Sequence, residues 1–329
     1  MARVRGPGHP DCACDLVAAT IAGEYLRRDS ASCLNIRVSG GRGVLFAAGE
    51  LFSSADFDVS AVMKQALAST GTSTVIEPFI AFEPMAPAWA QPRGSREAIS
   101  LVGYATEETE EQLPRSVVLA RDIASELERR RTSDAEWFWV GSDYEVWADA
   151  EKRLIVIRAE HNESRDIAAV REAITTLVQA RVTQPMDVRV NSAGSETSAG
   201  LGFRMGSSGQ TQASDQYGTA IPANGSGVGL HVSHPLNLGA WLLRMAARVL
   251  VHEGKGKAVM IHATWLPLET RPFLVRARNE RGVDLTPLLN LALLDISSPP
   301  SEYREPRLAL AAVRSPFDQT VALPWESKM

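Results

Sequence analysis

Strand and helix patterns alternate along this chain in three units of the same kind, and that recurrence limits the folds it can adopt. In the first unit, apolar strands at residues 34–38 and 44–52 flank the turn Gly40-Gly41-Arg42-Gly43, a pattern that predicts a β-hairpin. A helix near residues 59–67 and a strand at residues 75–82 follow the hairpin. The first unit is therefore predicted to contain two strands, a helix and a third strand, in that order.

Two further units follow along the chain. The second has a helix, a hairpin and another helix, at residues 114–131, 146–159 and 166–180. The third has a helix, two strands and a helical stretch, at residues 235–251, 258–265, 273–277 and 285–293. Helices and strands that recur in this mixture predict an α+β protein built from three similar strand-and-helix domains.

Two stretches of distinct composition separate the units. Residues 84–96 include Pro84, Pro87 and Pro92 and predict a loop or a domain boundary. Residues 192–229 are rich in Gly, Ser, Thr and Asn and predict a long loop, a kind of segment that often carries function. We predict an N-terminal domain, a middle domain and a C-terminal domain with a glycine-rich loop, at residues 1–90, 91–203 and 204–329.

Composition excludes several classes of partner. The net charge of -5 and the absence of a long basic run argue against nucleic acid. No apolar run approaches the roughly 20 residues that span a bilayer, and the first residues lack the apolar core of a signal peptide. Cys12, Cys14 and Cys33 are odd in number and lack metal-site spacing, which suits reduced thiols. We expect a cytoplasmic protein that binds neither membrane nor nucleic acid.

The motif Gly8-His9-Pro10-Asp11 is the first candidate for chemistry. It opens an amphipathic helix at residues 10–28, in which Pro10 suits the first turn and Asp11 lies near the positive end of the helix dipole. Asp11 and Asp15 are four residues apart and share one helical face. His9 and Asp11 are candidate catalytic residues, and the alternative is that the motif serves only to start the helix.

His231 and His234 form a second candidate group, just before the helix at residues 235–251. At this spacing the two side chains could act as a general base and its partner, or as metal ligands. The alternative is a pair of exposed or helix-capping histidines.

Five motifs, in order along nearly the whole chain, resemble the S-adenosylmethionine synthetase (methionine adenosyltransferase) family. They are Gly8-His9-Pro10-Asp11, Gly49-Glu50, Pro87 with Gln91, Gly103 to Thr109 with Pro114, and Pro324-Trp325-Glu326. The resemblance implies three α+β domains in a pseudo-threefold arrangement. It also implies a homodimer whose active sites form across the subunit interface.

The resemblance also implies roles for individual residues. In such a site His9 contacts the phosphate chain and Asp11 binds magnesium, while Glu50 and Gln91 hold the amino acid. Phe203 lies near the position of the family's adenine-stacking aromatic residue. The substrate-binding residues implied in this way are Glu50, Gln91, Glu97, Phe203 and Ser207, beside the catalytic candidates His9, Asp11, His231 and His234.

The chain departs from the family where the family binds triphosphate. The middle-domain lysine aligns near Asp143, and the Asp-Gln-Gly segment becomes Glu97-Ala98-Ile99. The glycine-rich loop, residues 206–214, lacks an aspartate, an arginine and a lysine, and His231-Val232-Ser233-His234 replaces Ser-Gly-Lys-Asp. A triphosphate carries about four negative charges, and its cleavage needs fixed cations where charge develops. The pattern therefore argues against ATP as substrate, with magnesium at Asp11 the one cofactor implied.

Three functions remain open. The first is an enzyme redirected to a sulfonium or nucleoside substrate such as S-adenosylmethionine, binding a methionine- or adenosine-type small molecule without triphosphate. The second is a non-catalytic paralogue that pairs with an active synthetase. The third is a working synthetase in which Arg93, Arg96 and Arg204 replace the missing cations.

Overall fold

The computed structural model describes residues 1–72, 75–90, 94–221, 225–299, 303, 316–317 and 323–326. The first part of the chain contains β1 (Ala2–Arg5), α1 (Pro10–Arg28), β2 (Cys33–Gly41), β3 (Val44–Phe52), α2 (Val59–Ala68) and β4 (Glu77–Pro84). The second contains β5 (Ile99–Thr106), α3 (Arg115–Ser133), β6 (Val140–Asp149), β7 (Leu154–His161), α4 (Ile167–Gln179) and β8 (Asp187–Val190). The third contains β9 (Met205–Ser207), α5 (Gln210–Asp215), α6 (Ala240–His252), β10 (Ala258–Trp265) and β11 (Leu274–Asn279). The fold is α+β, as predicted.

Each part repeats one arrangement of strands and helices. A strand leads to a helix, and the helix leads to an antiparallel hairpin: β2 with β3, β6 with β7, and β10 with β11. In the first two parts a second helix then returns the chain to a parallel strand, so that β4 lies beside β3 and β8 beside β7. The predicted similarity of the three units is therefore a similarity of topology.

The three sheets exchange their leading strands. β1 pairs antiparallel with β6 of the second part, β5 with β10 of the third, and β9 with β2 of the first. Each sheet thus contains a strand from another part of the chain, and the parts cannot separate without breaking backbone hydrogen bonds. The domain limits at residues 90 and 203 stay a prediction, since sheet pairing crosses both of them.

Helices cover one face of each sheet. α1 packs on β2 and β3, where Leu34, Ile36 and Leu45 are fully buried. α6 packs closely on β5, because a Cβ atom on Gly103 would lie only 2.4 Å from the backbone carbon of Leu243. The other face of the first sheet has no helix in the described part of the chain. Phe46 lies on this face and stacks on the ring of Phe79, and 51% of the surface of Phe46 is exposed.

Two sequence predictions need correction. Residues 285–293 do not form an α-helix but two short helical turns, Thr286–Leu288 and Leu291–Leu294, because Leu289 and Asn290 between them are extended and the Asn290 side chain caps the second turn. The predicted loop at residues 192–229 includes β9 and α5, because its backbone pairs with the edge of β2. The limits predicted for α1 are confirmed. Within the described ranges no helix is long and apolar enough to cross a membrane.

Candidate functional site

His9 connects the start of α1 to the middle sheet. Its Nδ1 accepts the backbone N–H of Asp11 at 3.2 Å, so the ring proton lies on Nε2. That N–H donates to Glu145 Oε1 at 2.8 Å. Both ring nitrogens therefore have partners within the chain. The contact with Asp11 caps α1, so His9 has the helix-starting role that the sequence analysis gave as an alternative.

Glu145 belongs to an ionic network on β6 and β7. Burial raises the pKa of Glu145, but the His9 hydrogen bond and the positive charge of Arg158 outweigh it and lower the pKa to about 2. Arg158 also donates to Asp143 Oδ1 at 2.5 Å. Asp143, which stands near the position of the family's middle-domain lysine, is fully buried and also accepts from Arg204 and from the backbone N–H of Gly200, the latter at 2.6 Å.

Two further carboxylates surround this network. Glu160 accepts the backbone N–H of Asp143 at 3.0 Å, and burial raises its pKa. Glu196 lies 3.7 Å from Arg158 Nη1. The cluster therefore carries four acids against two arginines, the acids being Asp143, Glu145, Glu160 and Glu196. Sequence reasoning missed this group, although it predicted the hairpin in which the structure pairs Arg158 with Glu145.

Asp11 and Asp15 hold the glycine-rich loop against α1. Asp11 Oδ1 accepts the backbone N–H of Ser207 at 3.0 Å. Asp15, fully buried, accepts the N–H of Gly209 at 2.5 Å and the hydroxyl of Thr211. Burial raises the pKa of Asp15 to about 6, against the opposing effect of these hydrogen bonds. The two aspartates share one helical face, as predicted, and both contact the loop.

The donor set near Asp11 does not by itself make a magnesium site. Magnesium prefers an octahedron of oxygens and is commonly held by one or two carboxylates plus substrate phosphates. Ser207 stands where the family loop has an aspartate, and Asp11 Oδ1 already accepts from its backbone. No group of three or more His, Cys, Asp or Glu side chains is placed to hold a metal ion in the described part of the chain.

Glu50 lies on the uncovered face of the first sheet, in β3. It forms an ion pair with Arg96, and the two side chains are 38% and 41% exposed. The Arg96 guanidinium also lies 5.3 Å from the centre of the Trp89 ring. Glu97 is exposed, whereas Gln91 and Arg93 lie outside the described residues.

His231 and His234 are packed inside the chain rather than exposed. His234 caps the following helical turn, since its Nδ1 accepts the N–H of Leu236 at 3.1 Å, and burial lowers its pKa to about 3. The two rings meet edge to face at 5.6 Å, and burial lowers the pKa of His231 as well. His231 Nε2 is buried without a hydrogen-bond partner among the described residues. The capping alternative therefore accounts for His234 but not for His231.

The structure brings the candidates together in two groups. His9, Asp11 and Ser207 form the first, around the start of α1. The second lies along β2, where Asn35 pairs in register with Glu50 and also with Leu230, the neighbour of His231. The described contacts join neither Glu97 nor the half-exposed Phe203 to either group.

The sequence analysis offered three arginines, Arg93, Arg96 and Arg204, as replacements for the missing cations. Two of these arginines already have acidic partners. Arg96 pairs with Glu50 and Arg204 with Asp143. Neither guanidinium adds uncompensated positive charge to the place where a triphosphate would need it.

The chain resembles known proteins over most of its length. The family model described as S-adenosylmethionine synthetase, central domain, matches residues 93–196. The S-adenosylmethionine synthase of Aquifex aeolicus (strain VF5) is 22% identical over 279 residues, which cover 77% of this chain and 74% of that protein. That of Mycoplasmopsis synoviae (strain 53) is 25% identical over 269 residues, or 75% of this chain and 70% of the relative. That of Sorangium cellulosum (strain So ce56) is 22% identical over 196 residues, or 52% and 46%.

These matches agree with the motifs read from the sequence and with the α+β architecture of three similar parts. The identities are low, in keeping with the departures around Asp143 and in the glycine-rich loop. These findings support membership of the S-adenosylmethionine synthetase family, as a diverged member.

Proposed function

We propose that this chain binds S-adenosylmethionine, or another ligand with a methionine or adenosine part, and acts on it in a specialised pathway. It does not, on this proposal, make S-adenosylmethionine from ATP and methionine. The observation that carries the proposal is the ionic network around His9.

The His9 side of the site disfavours a phosphate chain. A phosphate could accept the Nε2–H of His9 only by displacing the carboxylate of Glu145, 2.8 Å away. It would then approach a cluster in which acids outnumber arginines, and like charges at short range in a poorly hydrated site repel strongly. A buried aspartate at position 143 acts in the opposite sense to the lysine that the family resemblance implies there.

The carboxylate that the family resemblance assigns to the amino-acid ligand, that of Glu50, is retained in this chain. Glu50 is half-exposed, and its described partner is the flexible side chain of Arg96. Because exposed ion pairs contribute at most about 1 kcal/mol, a ligand ammonium group could replace Arg96 at little cost. His231, half-buried on the side of β2 opposite β3, offers its buried Nε2 for a second contact.

Calorimetric titration is the direct test of this proposal. We expect S-adenosylmethionine or methionine to bind with micromolar affinity with or without magnesium, and ATP with methionine to release no phosphate. Mass analysis of each mixture would identify a new product. Phosphate release at a synthetase-like rate would overturn the proposal. Failure of every ligand to bind would exclude the hypothesis that the chain is an enzyme.

Glu50→Gln should separate ligand binding from a general effect on the sheet. A hydrogen bond to a charged group contributes about 1.5–3 kcal/mol, so we expect the variant to bind S-adenosylmethionine or methionine about 10- to 100-fold more weakly. Glu77→Gln is the matched control, because Glu77 is exposed on the same sheet at the far end of β4. Equal affinity in both variants would exclude Glu50 from the site.

A second candidate function rests on the uncovered face of the first sheet. Phe46 and Phe79 stack at 5.1 Å and are 51% and 47% exposed, and such apolar patches mark interaction surfaces. This face suits a homodimer, or a heteromer in which the chain completes or regulates an active synthetase.

Phe46→Asp is expected to abolish association through this face. Sedimentation of the purified chain should show a dimer that becomes a monomer in the variant, while Phe138→Asp, at an exposed ring outside the sheet, stays dimeric. A chain that is monomeric alone and dimeric only with a purified synthetase would favour the regulatory paralogue. A variant that remains dimeric would exclude the face.

A further inference from the structure

Glu50 and Trp89 hold one guanidinium group between them beside the first sheet. The side chain of Arg96 forms an ion pair with Glu50, and its guanidinium carbon lies 5.3 Å from the centre of the Trp89 ring. Trp89 is 39% exposed, so the contact is open to solvent, as the half-exposed side chains of Glu50 and Arg96 are. A carboxylate and the face of an aromatic ring both attract cations. The chain therefore places a cation of its own in a setting that suits cations in general.

A second carboxylate adds to the preference for positive charge. Glu83 on β4 pairs in parallel register with Glu50 on β3, so the two side chains lie on the same face of neighbouring strands. Glu83 is exposed. Two negative charges this close repel each other, and a positive group beside them lowers the repulsion. The setting therefore favours a ligand cation and disfavours a ligand anion.

The guanidinium of Arg96 can leave this setting while its backbone stays in place. The carbonyl of Ser95 accepts the N–H of Leu268 at 2.8 Å, and the hydroxyl of Ser95 accepts the N–H of Glu97 at 3.1 Å. The backbone on both sides of Arg96 is thus held, and rotation of the long side chain is sufficient to release its two partners. Exposed ion pairs and exposed cation–π contacts are both weak. Arg96 is therefore an occupant that a ligand cation can replace.

A sulfonium ligand with an amino-acid part matches both partners. Its ammonium group can donate hydrogen bonds to a carboxylate, whereas its sulfonium group has no hydrogen on sulfur to donate and is attracted through its charge alone, as to an aromatic face. We propose that Glu50 and Trp89 form a cation subsite that Arg96 fills from within the chain, and that Trp89 selects a sulfonium over the corresponding neutral thioether. This inference rests on the proposed function and adds the residues that set its preference.

The role of Trp89 is tested by calorimetric titration with S-adenosylmethionine and S-adenosylhomocysteine, which lacks the methyl group on sulfur and the charge with it. We expect the unaltered chain to bind S-adenosylmethionine at least fivefold more tightly. Trp89→Leu should lower this ratio below twofold, while Trp137→Leu, at a ring with Arg130 5.8 Å away, should keep it. Equal affinities in the unaltered chain, or an unchanged ratio in Trp89→Leu, would overturn this inference and leave the proposed function standing.

Arg96→Gln tests whether Arg96 competes with the ligand. Because the variant removes the competing cation, we expect it to bind S-adenosylmethionine about two- to fivefold more tightly than the unaltered chain. Arg189→Gln is the matched control, since it breaks an exposed ion pair with Asp187 on β8 and should leave the affinity unchanged. Weaker or unchanged binding in Arg96→Gln would overturn the competition. Failure of both probes to bind every variant and the unaltered chain would overturn the proposed function, and this inference with it.

Discussion

Glu326→Ala is expected to lower the free energy of unfolding by about 3–5 kcal/mol, because it leaves a charge buried without its partner. The charge is that of Arg244 on α6, which is fully buried. Its Nε and Nη2 donate to the two carboxylate oxygens of Glu326 at 2.8 and 3.0 Å. Its Nη1 donates to the carbonyls of Tyr104 and Gln112, each at 2.8 Å, so the guanidinium cannot turn towards solvent.

Urea unfolding followed by tryptophan fluorescence would measure this effect, since Trp325 stacks on Trp241 at 4.1 Å beside the ion pair. Glu107→Ala is the matched control: Glu107 pairs with Lys257, both side chains are more than half exposed, and its loss is expected to cost at most about 1 kcal/mol. If the two variants lost the same stability, the backbone carbonyls alone would be sufficient for Arg244.

The sequence predicts those parts of the fold that depend on neighbouring residues. The limits of α1 follow from Pro10 at its start and the last apolar positions before Asp29, and the first hairpin follows from its glycine turn. The exchange of leading strands could not be predicted in this way. β1 is only four residues long, and its partner β6 begins more than a hundred residues later, so no local pattern connects the two.

The same distinction holds for the candidate site. The contact of His9 with the first turn of α1 is local, and the Glu145–Arg158 pair follows from hairpin register. The contacts of Asp143 with Arg204 and of Asp15 with Thr211 join residues 61 and 196 positions apart. They depend on a loop path that Gly206 permits, where a Cβ atom would lie 2.3 Å from the Pro10 carbonyl carbon.

Asp15→Asn is expected to change how stability depends on pH. Burial raises the pKa of Asp15 from 3.8 to about 6 in the folded chain, so between these values the folded state holds a proton that the unfolded state has released. Stability from this group therefore falls as pH rises through that window, by about 3 kcal/mol in total. Asparagine stays neutral, and its amide can accept from Gly209 and donate to Thr211, so the variant should gain stability relative to the unaltered chain from pH 4 to pH 7.5.

The measurement is the difference in the free energy of unfolding between variant and unaltered chain at each pH, because titrating groups that do not interact with Asp15 cancel in that difference. Asp166→Asn is the matched control, since Asp166 caps α4 at the surface and asparagine caps a helix about as well as aspartate. A difference for Asp15→Asn that stays flat from pH 4 to pH 7.5 would mean that the folded chain does not keep this proton. Asp15 would then hold the loop as a carboxylate at all these pH values, and its negative charge would strengthen the loop contact rather than weaken it.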